Sequence, residues 1–183
     1  MNKTIHLSAL ALWAGLSLGL NAQAHVTLEQ AEAKAGSTYK AVMRVGHGCE
    51  GSPTHTVTVR LPAGFRGAKP VPKAGWTLTV RKEKLAQPYD NHGRTVTEDP
   101  AEISWRAVGR ESWLDDAWYD EFVVRGQLPE QAGPLWFKVV QTCEKGTAEW
   151  VQVPEAGTST HGLKAPAALL KVLPAAAEAP HRH

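Results

Sequence analysis

A histidine stands directly after a signature for signal-peptidase cleavage. Residues 22–24 read Ala-Gln-Ala, a small-residue cleavage site, and His25 follows. Cleavage there would make His25 the first residue. Its α-amine and ring Nδ1 could then chelate one metal ion, which an internal histidine cannot do because its backbone nitrogen is an amide. Both groups titrate near neutral pH and nitrogen donors favour Cu(II). On this pattern alone, His25 is either a copper ligand or an ordinary surface histidine.

The segment before His25 is typical of a secretory signal. Lys3 supplies a positive start, and residues 7–20 are apolar apart from Ser8 and Ser17. This run is shorter than the ~20 residues that a membrane-spanning helix needs, and it lacks a basic stop-transfer flank. We therefore expect residues 1–24 to be a cleaved signal peptide and not an uncleaved anchor. The mature chain would be exported to the periplasm, without membrane insertion.

Charge and cysteine content limit the partners and the redox state. Lys and Arg number 20 against 18 Asp and Glu, with no basic stripe, so nucleic acid is not an expected partner. Cys49 and Cys143 are the two cysteines of the chain. Export would place them in an oxidising compartment, where such a pair usually forms a disulfide. The alternative is a Cu(I) site built from two thiolates.

Most of the remaining sequence alternates apolar and polar residues with a period of two. The stretches that read as strands are 38–45, 54–62, 75–83, 102–108, 119–129, 133–146 and 148–155. Val, Thr, Trp and Phe dominate them, and turn-forming residues separate them. This pattern predicts an all-β protein, an antiparallel β-sandwich. Residues 28–34 are either a short helical turn or extended chain, and the Ala/Pro-rich residues 164–183 are expected to form a loose tail.

Six motifs are distributed along the sequence from His25 to about Gln152. They are AHVTLE, GHGCEGSPTHTVTVRLPAGF, GWTLTV, ISW, YDEFVVRGQLP and LWFKVVQTCEKGTAEW. Together they resemble the YcnI-like family of exported copper-binding domains. The resemblance implies an immunoglobulin-like antiparallel β-sandwich over residues 25–163. It also implies one bound Cu(II), held by an N-terminal histidine brace plus a glutamate, with a tryptophan nearby.

The residues of that family site map onto this sequence one by one. The histidine corresponds to His25, the glutamate of the E-F motif to Glu121, and the tryptophan that ends the Q…G…W motif to Trp150. Trp136 is a lesser candidate, because the loop QLPEQAGP looks variable in length. Alternation predicts Glu121 on the wet face of its strand, with the rival ligand Asp120 pointing the other way. The ordinary alternatives are a solvated glutamate and a tryptophan of the core.

Other polar residues have weaker claims. His47 is expected to form structural hydrogen bonds beside the disulfide, with a second metal site as the alternative. His55 is expected to be exposed, and His92 lies in the turn DNHGR. The histidines of the terminal PHRH could bind metal weakly. The acidic and aromatic loop at 111–122 is expected to lie near the copper site.

These features predict a periplasmic Cu(II)-binding protein that carries copper, with other copper-handling proteins as partners, and that is not an enzyme. One alternative is an oxidative copper enzyme of the histidine-brace type. Such enzymes complete the brace with a second histidine, whereas a carboxylate favours Cu(II) and disfavours rapid redox cycling. Another alternative is a metal-free β-sandwich that serves as an extracellular interaction module. No motif supports a hydrolase.

Overall fold

The computed structural model describes residues 25–175. The predicted signal peptide and the histidines of the terminal PHRH lie outside these residues. The described part forms eleven strands and one turn of 3-10 helix at Arg110–Ser112. The strands are β1 Thr27–Leu28, β2 Glu32–Lys34, β3 Thr38–Val45, β4 Thr54–Arg60, β5 Arg66–Pro70, β6 Trp76–Asn91, β7 Arg94–Ala107, β8 Asp120–Gln127, β9 Gly133–Cys143, β10 Thr147–Trp150 and β11 Ala168–Leu173. Within 25–175, no helix is long and apolar enough to cross a membrane.

The strands form two sheets. The smaller sheet has the order β1-β3-β8-β5, and the larger has the order β2-β11-β9-β4-β7-β6. β10 also pairs with β9, on residues 139–142, while β11 pairs with β9 on residues 133–137. All pairs are antiparallel except β2 with β11. The predicted all-β antiparallel sandwich is confirmed, with this single parallel pair added.

Side chains that alternate along the strands build the core between the sheets. In β3, the inward residues Tyr39, Ala41, Met43 and Val45 are at most 3% exposed. Aromatic rings join the two layers: Phe122 of β8 packs edge-on against Trp105 of β7, with ring centroids 5.5 Å apart. Such contacts add roughly 0.5–1.5 kcal/mol to the burial of the rings. The predicted alternation of β3 is therefore confirmed.

Three expectations about local structure need correction or completion. Residues 28–34 are extended chain, not a helical turn, since β1 and β2 both fall there. β6 and β7 are longer than predicted and form one hairpin, closed by a two-residue turn at His92 and Gly93 with φ of 53° and 79°. β5 was not predicted, because its sequence RGAKP has poor strand propensity and is held at the edge of β8.

The expectation of a loose tail from residue 164 is wrong for its first half. Ala168–Leu173 forms β11, which lies between β9 and β2. Ala168, Leu170 and Val172 are at most 4% exposed. Alternating apolar residues thus dock this segment on the core, although its Ala/Pro-rich composition resembles a linker. The folded domain extends to at least residue 173.

Candidate metal centre

Segments that are distant in sequence meet at one end of the sandwich. β3 ends and β8 begins there, since Val45 pairs with Asp120. The loop after β3 is joined to the end of β9 by the disulfide Cys49–Cys143, which confirms the predicted pairing. The loop before β8 is tied in as well, because Asp116 Oδ1 accepts a hydrogen bond of 2.9 Å from the Gly48 amide. The acidic and aromatic loop therefore lies at this end.

His25 packs against Trp150 at this end. The two rings meet edge to face, with centroids 5.5 Å apart and planes at 74°. His25 is half-buried, and its Nε2 is the one buried side-chain nitrogen or oxygen within 25–175 that has no hydrogen-bond partner. Trp150 is 6% exposed and belongs to the core cluster. The structure thus brings together two of the three residues expected at the site.

Gln141 holds Trp150 in place. This glutamine is 1% exposed, and its Oε1 accepts a hydrogen bond of 2.7 Å from Trp150 Nε1. Its Nε2 donates to the backbone oxygen of His47 at 2.9 Å and to Thr54 Oγ1 at 3.0 Å. The sequence analysis includes Gln141 in the Q…G…W motif but gives it no role. The available signal was a polar residue at an inward position of β9, in phase with Phe137, Val139 and Cys143, where it must be hydrogen-bonded.

His47 lies on the same tryptophan. Its ring is edge-on to Trp150, with centroids 5.9 Å apart, and its Nδ1 is 2.6 Å from the Gly48 carbonyl oxygen. A carbonyl oxygen only accepts, so Nδ1 carries the proton of that hydrogen bond. These contacts agree with the expected structural role beside Cys49. They leave the alternative of a second metal site as an untested prediction.

Glu121 occupies the outer face of the smaller sheet, as predicted. Its neighbour Phe122 points into the core and is 1% exposed. In the strand register, Glu121 pairs with Arg44, and Arg44 pairs with Thr27, so the three residues form one row across β8, β3 and β1. His25 lies two residues before Thr27. The register therefore places Glu121 two strands away from the start of β1, near the end that holds His25.

The Glu121 carboxylate already has a hydrogen-bond donor. Tyr119 donates its hydroxyl proton to Glu121 Oε1 at 2.7 Å. Partial burial of the hydroxyl, together with this hydrogen bond, raises the pKa of Tyr119 to about 12. The phenol therefore stays protonated at neutral pH and remains a hydrogen-bond donor to the Glu121 side chain. Tyr119 lies in the loop that was expected near the site, but the sequence analysis gives it no role.

Asp120, the rival carboxylate, is engaged elsewhere. Lys73 Nζ lies 2.6 Å from Asp120 Oδ1, and the same oxygen accepts a hydrogen bond from the Glu121 amide.

Trp136, the lesser candidate for the tryptophan, is out of phase with the inward residues of β9 and pairs with Leu169 of β11. The register thus places it on the opposite face of the sheet from Trp150, which pairs with Val139.

The described side chains do not form a metal site by themselves. No group of three or more His, Cys, Asp or Glu residues within 25–175 is placed to hold a metal ion. A brace has different requirements, because one N-terminal histidine supplies two nitrogens and needs only a carboxylate beside it. Cu(II) accepts both donor types. His25 and Glu121 therefore fit a brace in their chemistry.

The remaining histidines lie away from this end or have other contacts. His55 is half-buried, not exposed as expected, because its ring packs on Trp113 with centroids 5.3 Å apart. His92 lies in the hairpin turn, as predicted.

β11 runs antiparallel to β9 and ends opposite Gly133, whereas the disulfide is at the other end of β9. The described chain therefore ends at the opposite end of the sandwich from His25.

Comparisons with known proteins identify a family and a fold. The family described as "Domain of unknown function (DUF1775)" matches residues 25–172. Among solved structures, a crystal structure of an uncharacterized protein from Nocardia farcinica, reported to reveal an immunoglobulin-like fold, is similar. It is 25% identical, with a TM-score of 0.62, over 81% of this chain and 97% of that chain. No curated protein matches the chain.

Proposed function

The chain belongs to the DUF1775 family, and we propose that it is an exported protein that binds one Cu(II) ion and carries it in the periplasm. In this proposal, a signal peptidase cleaves after Ala24. The α-amine and Nδ1 of His25 then supply two nitrogens, and the Glu121 carboxylate supplies an anionic oxygen. The resemblance to the YcnI-like copper proteins motivates the choice of metal.

One observation supports the proposal most strongly. The ring of His25, whose Nε2 is buried, packs against the ring of Trp150 at the position that the proposed cleavage would make the N-terminus. Chain ends are usually loose unless something ties them down. A histidine docked in this way would present its amine at a fixed position after cleavage. The outer row that contains Glu121 begins two residues further on, at Thr27.

The carboxylate explains why a carrier is proposed and not an enzyme. A hard anionic oxygen partly neutralises Cu(II) and stabilises it over Cu(I). Rapid oxidative turnover needs both oxidation states. We therefore propose that the protein holds copper and releases it to another copper-handling protein, without a catalysed reaction.

A second candidate is an oxidative copper enzyme of the brace type. One observation favours it: His47 is a second imidazole on Trp150. If His47 also bound the ion, three nitrogens would hold it. Oxygen consumption by the copper-loaded protein in the presence of a reductant distinguishes the two candidates, since a carrier gives no sustained turnover.

A titration with Cu(II) tests the proposal. The chain that begins at His25, with its N-terminus verified by mass spectrometry, is compared with the same chain preceded by one alanine. The added residue converts the amine of His25 into an amide and leaves every side chain in place. We expect affinity to fall at least about tenfold, as for loss of a metal-site component. Equal affinities would remove the amine from the site, and no binding by either chain would favour the metal-free module.

A further inference from the structure

Two large aromatic side chains are exposed on the acidic and aromatic loop, residues 111–122. Trp118 is 60% exposed and its neighbour Tyr119 is 57% exposed. Every other Trp, Tyr and Phe within 25–175 is buried or half-buried. Single apolar residues are common on protein surfaces, but adjacent exposed ones mark places that another molecule covers. Trp and Tyr are also enriched among the residues that dominate protein–protein binding.

The loop presents these two rings from an anchored backbone. Leu114 is 5% exposed and exchanges two backbone hydrogen bonds with Thr54, at 2.8 and 2.9 Å. The Asp116 carboxylate accepts a hydrogen bond from the loop after β3, and the Trp118 amide donates to the Asp115 carbonyl oxygen at 3.0 Å. Exposure of the two rings is therefore not the result of a loop that lacks anchors.

A groove of about 400 Å³ lies beside the exposed rings. Trp118 and Tyr119 line it together with Trp113 and the carboxylate-bearing Glu111. One aromatic ring of this groove already accepts a guanidinium, because Arg110 Cζ lies 4.8 Å from the centroid of the Trp113 ring. Such cation–π contacts are favourable. The aromatic surface of the loop is therefore suited to Arg and Lys side chains.

The charge of the loop selects the kind of partner. Residues 111–122 contain five acidic residues and no basic one, although the whole chain has a formal net charge of +2. Four of the five form no ion pair within 25–175: Glu111, Asp115, Asp116 and Glu121. Negative charge around exposed rings attracts a cationic partner and repels an acidic one.

We propose that Trp118, Tyr119 and the carboxylates around them form a docking surface for a partner protein that presents a basic segment, with Arg or Lys among apolar residues. The rings pack against the apolar and cationic groups of that segment, and the carboxylates pair with its charges. The surface goes beyond the copper binding proposed above and does not depend on it. A partner docked there stands at the end of the sandwich that holds His25.

Selection from a random peptide library tests the surface without assuming a particular partner. The target is the metal-free chain that begins at His25, and peptides that also bind the Trp118→Ala chain are removed. We expect the remaining peptides to combine Arg or Lys with apolar residues, and to bind less tightly as ionic strength rises. If the remaining peptides are neutral or acidic, or if no selected peptide depends on Trp118, the proposal is wrong.

Fluorescence anisotropy of the most enriched peptide tests the carboxylates, which the selection does not fix in advance. Glu111→Gln and Asp115→Asn keep the shape of each side chain, and each should weaken binding about two- to fivefold at low salt. Glu98→Gln is the matched control, because Glu98 is exposed in β7 and forms no ion pair within the described residues. Unchanged binding in both loop variants, or an equal loss in the control, would contradict the proposal.

Stability and Cu(II) affinity separate docking from folding and from the proposed function. Trp118→Ala should keep the melting temperature and the Cu(II) affinity of the native chain, since Trp118 is exposed and is not a proposed ligand. If basic peptides bind at Trp118 but the chain binds no copper, the proposed function fails and the docking surface stands. If copper binds tightly but no basic peptide depends on Trp118, the docking surface fails alone.

Discussion

At the scale of single residues, the candidate centre depends on side chains that are held by others. Trp150 lies against His25, Gln141 against Trp150, and Tyr119 against Glu121. Each supporting partner has its polar group hydrogen-bonded. Such outer partners orient ligands and tune their basicity. These contacts are the supports that the proposed metal site would use.

Replacement of Glu121 by glutamine tests the carboxylate. The substitution keeps the shape and the acceptor for Tyr119 but removes the charge. We expect Cu(II) affinity to fall by about two orders of magnitude while thermal stability changes little, since Glu121 is only half-buried.

Glu32→Gln is the matched control for this variant. Glu32 is an exposed strand glutamate in β2, where it pairs with Lys171. Its replacement should leave copper binding unchanged. If Glu121→Gln binds as tightly as the native chain, Glu121 is not a ligand.

The buried side chain of Tyr39 makes the stability of the protein depend on pH. Tyr39 is 3% exposed and its hydroxyl donates to the Gln30 oxygen at 2.5 Å. Burial, and then the charge of Glu29, raise the pKa of Tyr39 to about 12. Since the unfolded value is about 10, this contribution to stability is complete below pH ~10 and is lost as the pH rises towards 12.

Tyr39→Phe should therefore flatten the alkaline loss of stability. The variant also loses one hydrogen bond, worth about 1 kcal/mol at neutral pH. Urea denaturation at pH values from about 8 to 11 measures both effects. If the unfolding free energy falls equally with pH above ~10 in the native protein and in the variant, Tyr39 does not titrate with a raised pKa.

At the scale of elements, β11 shows where composition misleads. Its Ala- and Pro-rich surroundings favour a linker. However, Leu170 and Val172 alternate with Lys171, and the segment pairs with β9 as a strand. β5 escapes prediction for the opposite reason, since RGAKP pairs with β8 despite weak propensity. Strands with clear alternation, such as β3 and β4, were predictable because burial acts on every second residue.

Leu170→Ala tests whether β11 belongs to the core. Leu170 is fully buried, so the truncation should cost about 2–5 kcal/mol of unfolding free energy. Leu173, at the end of the same strand, is 41% exposed, and Leu173→Ala should cost less than about 1 kcal/mol. Denaturant unfolding of both variants measures the difference. Equal small effects would mean that the segment is not docked.

At the scale of the whole molecule, the proposed copper site would depend on contacts that no local pattern reveals. Trp150 was assigned by resemblance, but its contact with His25 spans the chain from its first described residue to β10. Gln141 is the first residue of the Q…G…W motif and a polar residue in an inward phase, but neither signal indicated its hydrogen bond to Trp150. Tyr119 belongs to the YDEFVVRGQLP motif and to the loop expected near the site, but no sequence pattern indicated its hydrogen bond to Glu121. Which strands meet at one end depends on topology, which alternation alone does not fix.

The disulfide acts at this scale, because it joins residues 94 apart in sequence. In the chain-entropy model, closing such a loop stabilises the fold by roughly 4–5 kcal/mol. The Cys49→Ser, Cys143→Ser double variant should lose free energy of unfolding of about that size. The native protein should contain no titratable thiol before denaturation or after it in the absence of reductant. Two reactive thiols in the exported protein would contradict the pairing.

The central claim is that His25 binds Cu(II) through its amine and its imidazole together. Pulsed EPR of the Cu(II)-loaded chain that begins at His25, with ¹⁵N-labelled histidine, counts the nitrogens and identifies them. The account predicts one imidazole and one directly bound amine nitrogen, both from His25, and loss of the amine signal when an alanine precedes that residue. Two or more imidazoles on the ion, or a spectrum that the added alanine leaves unchanged, would contradict it.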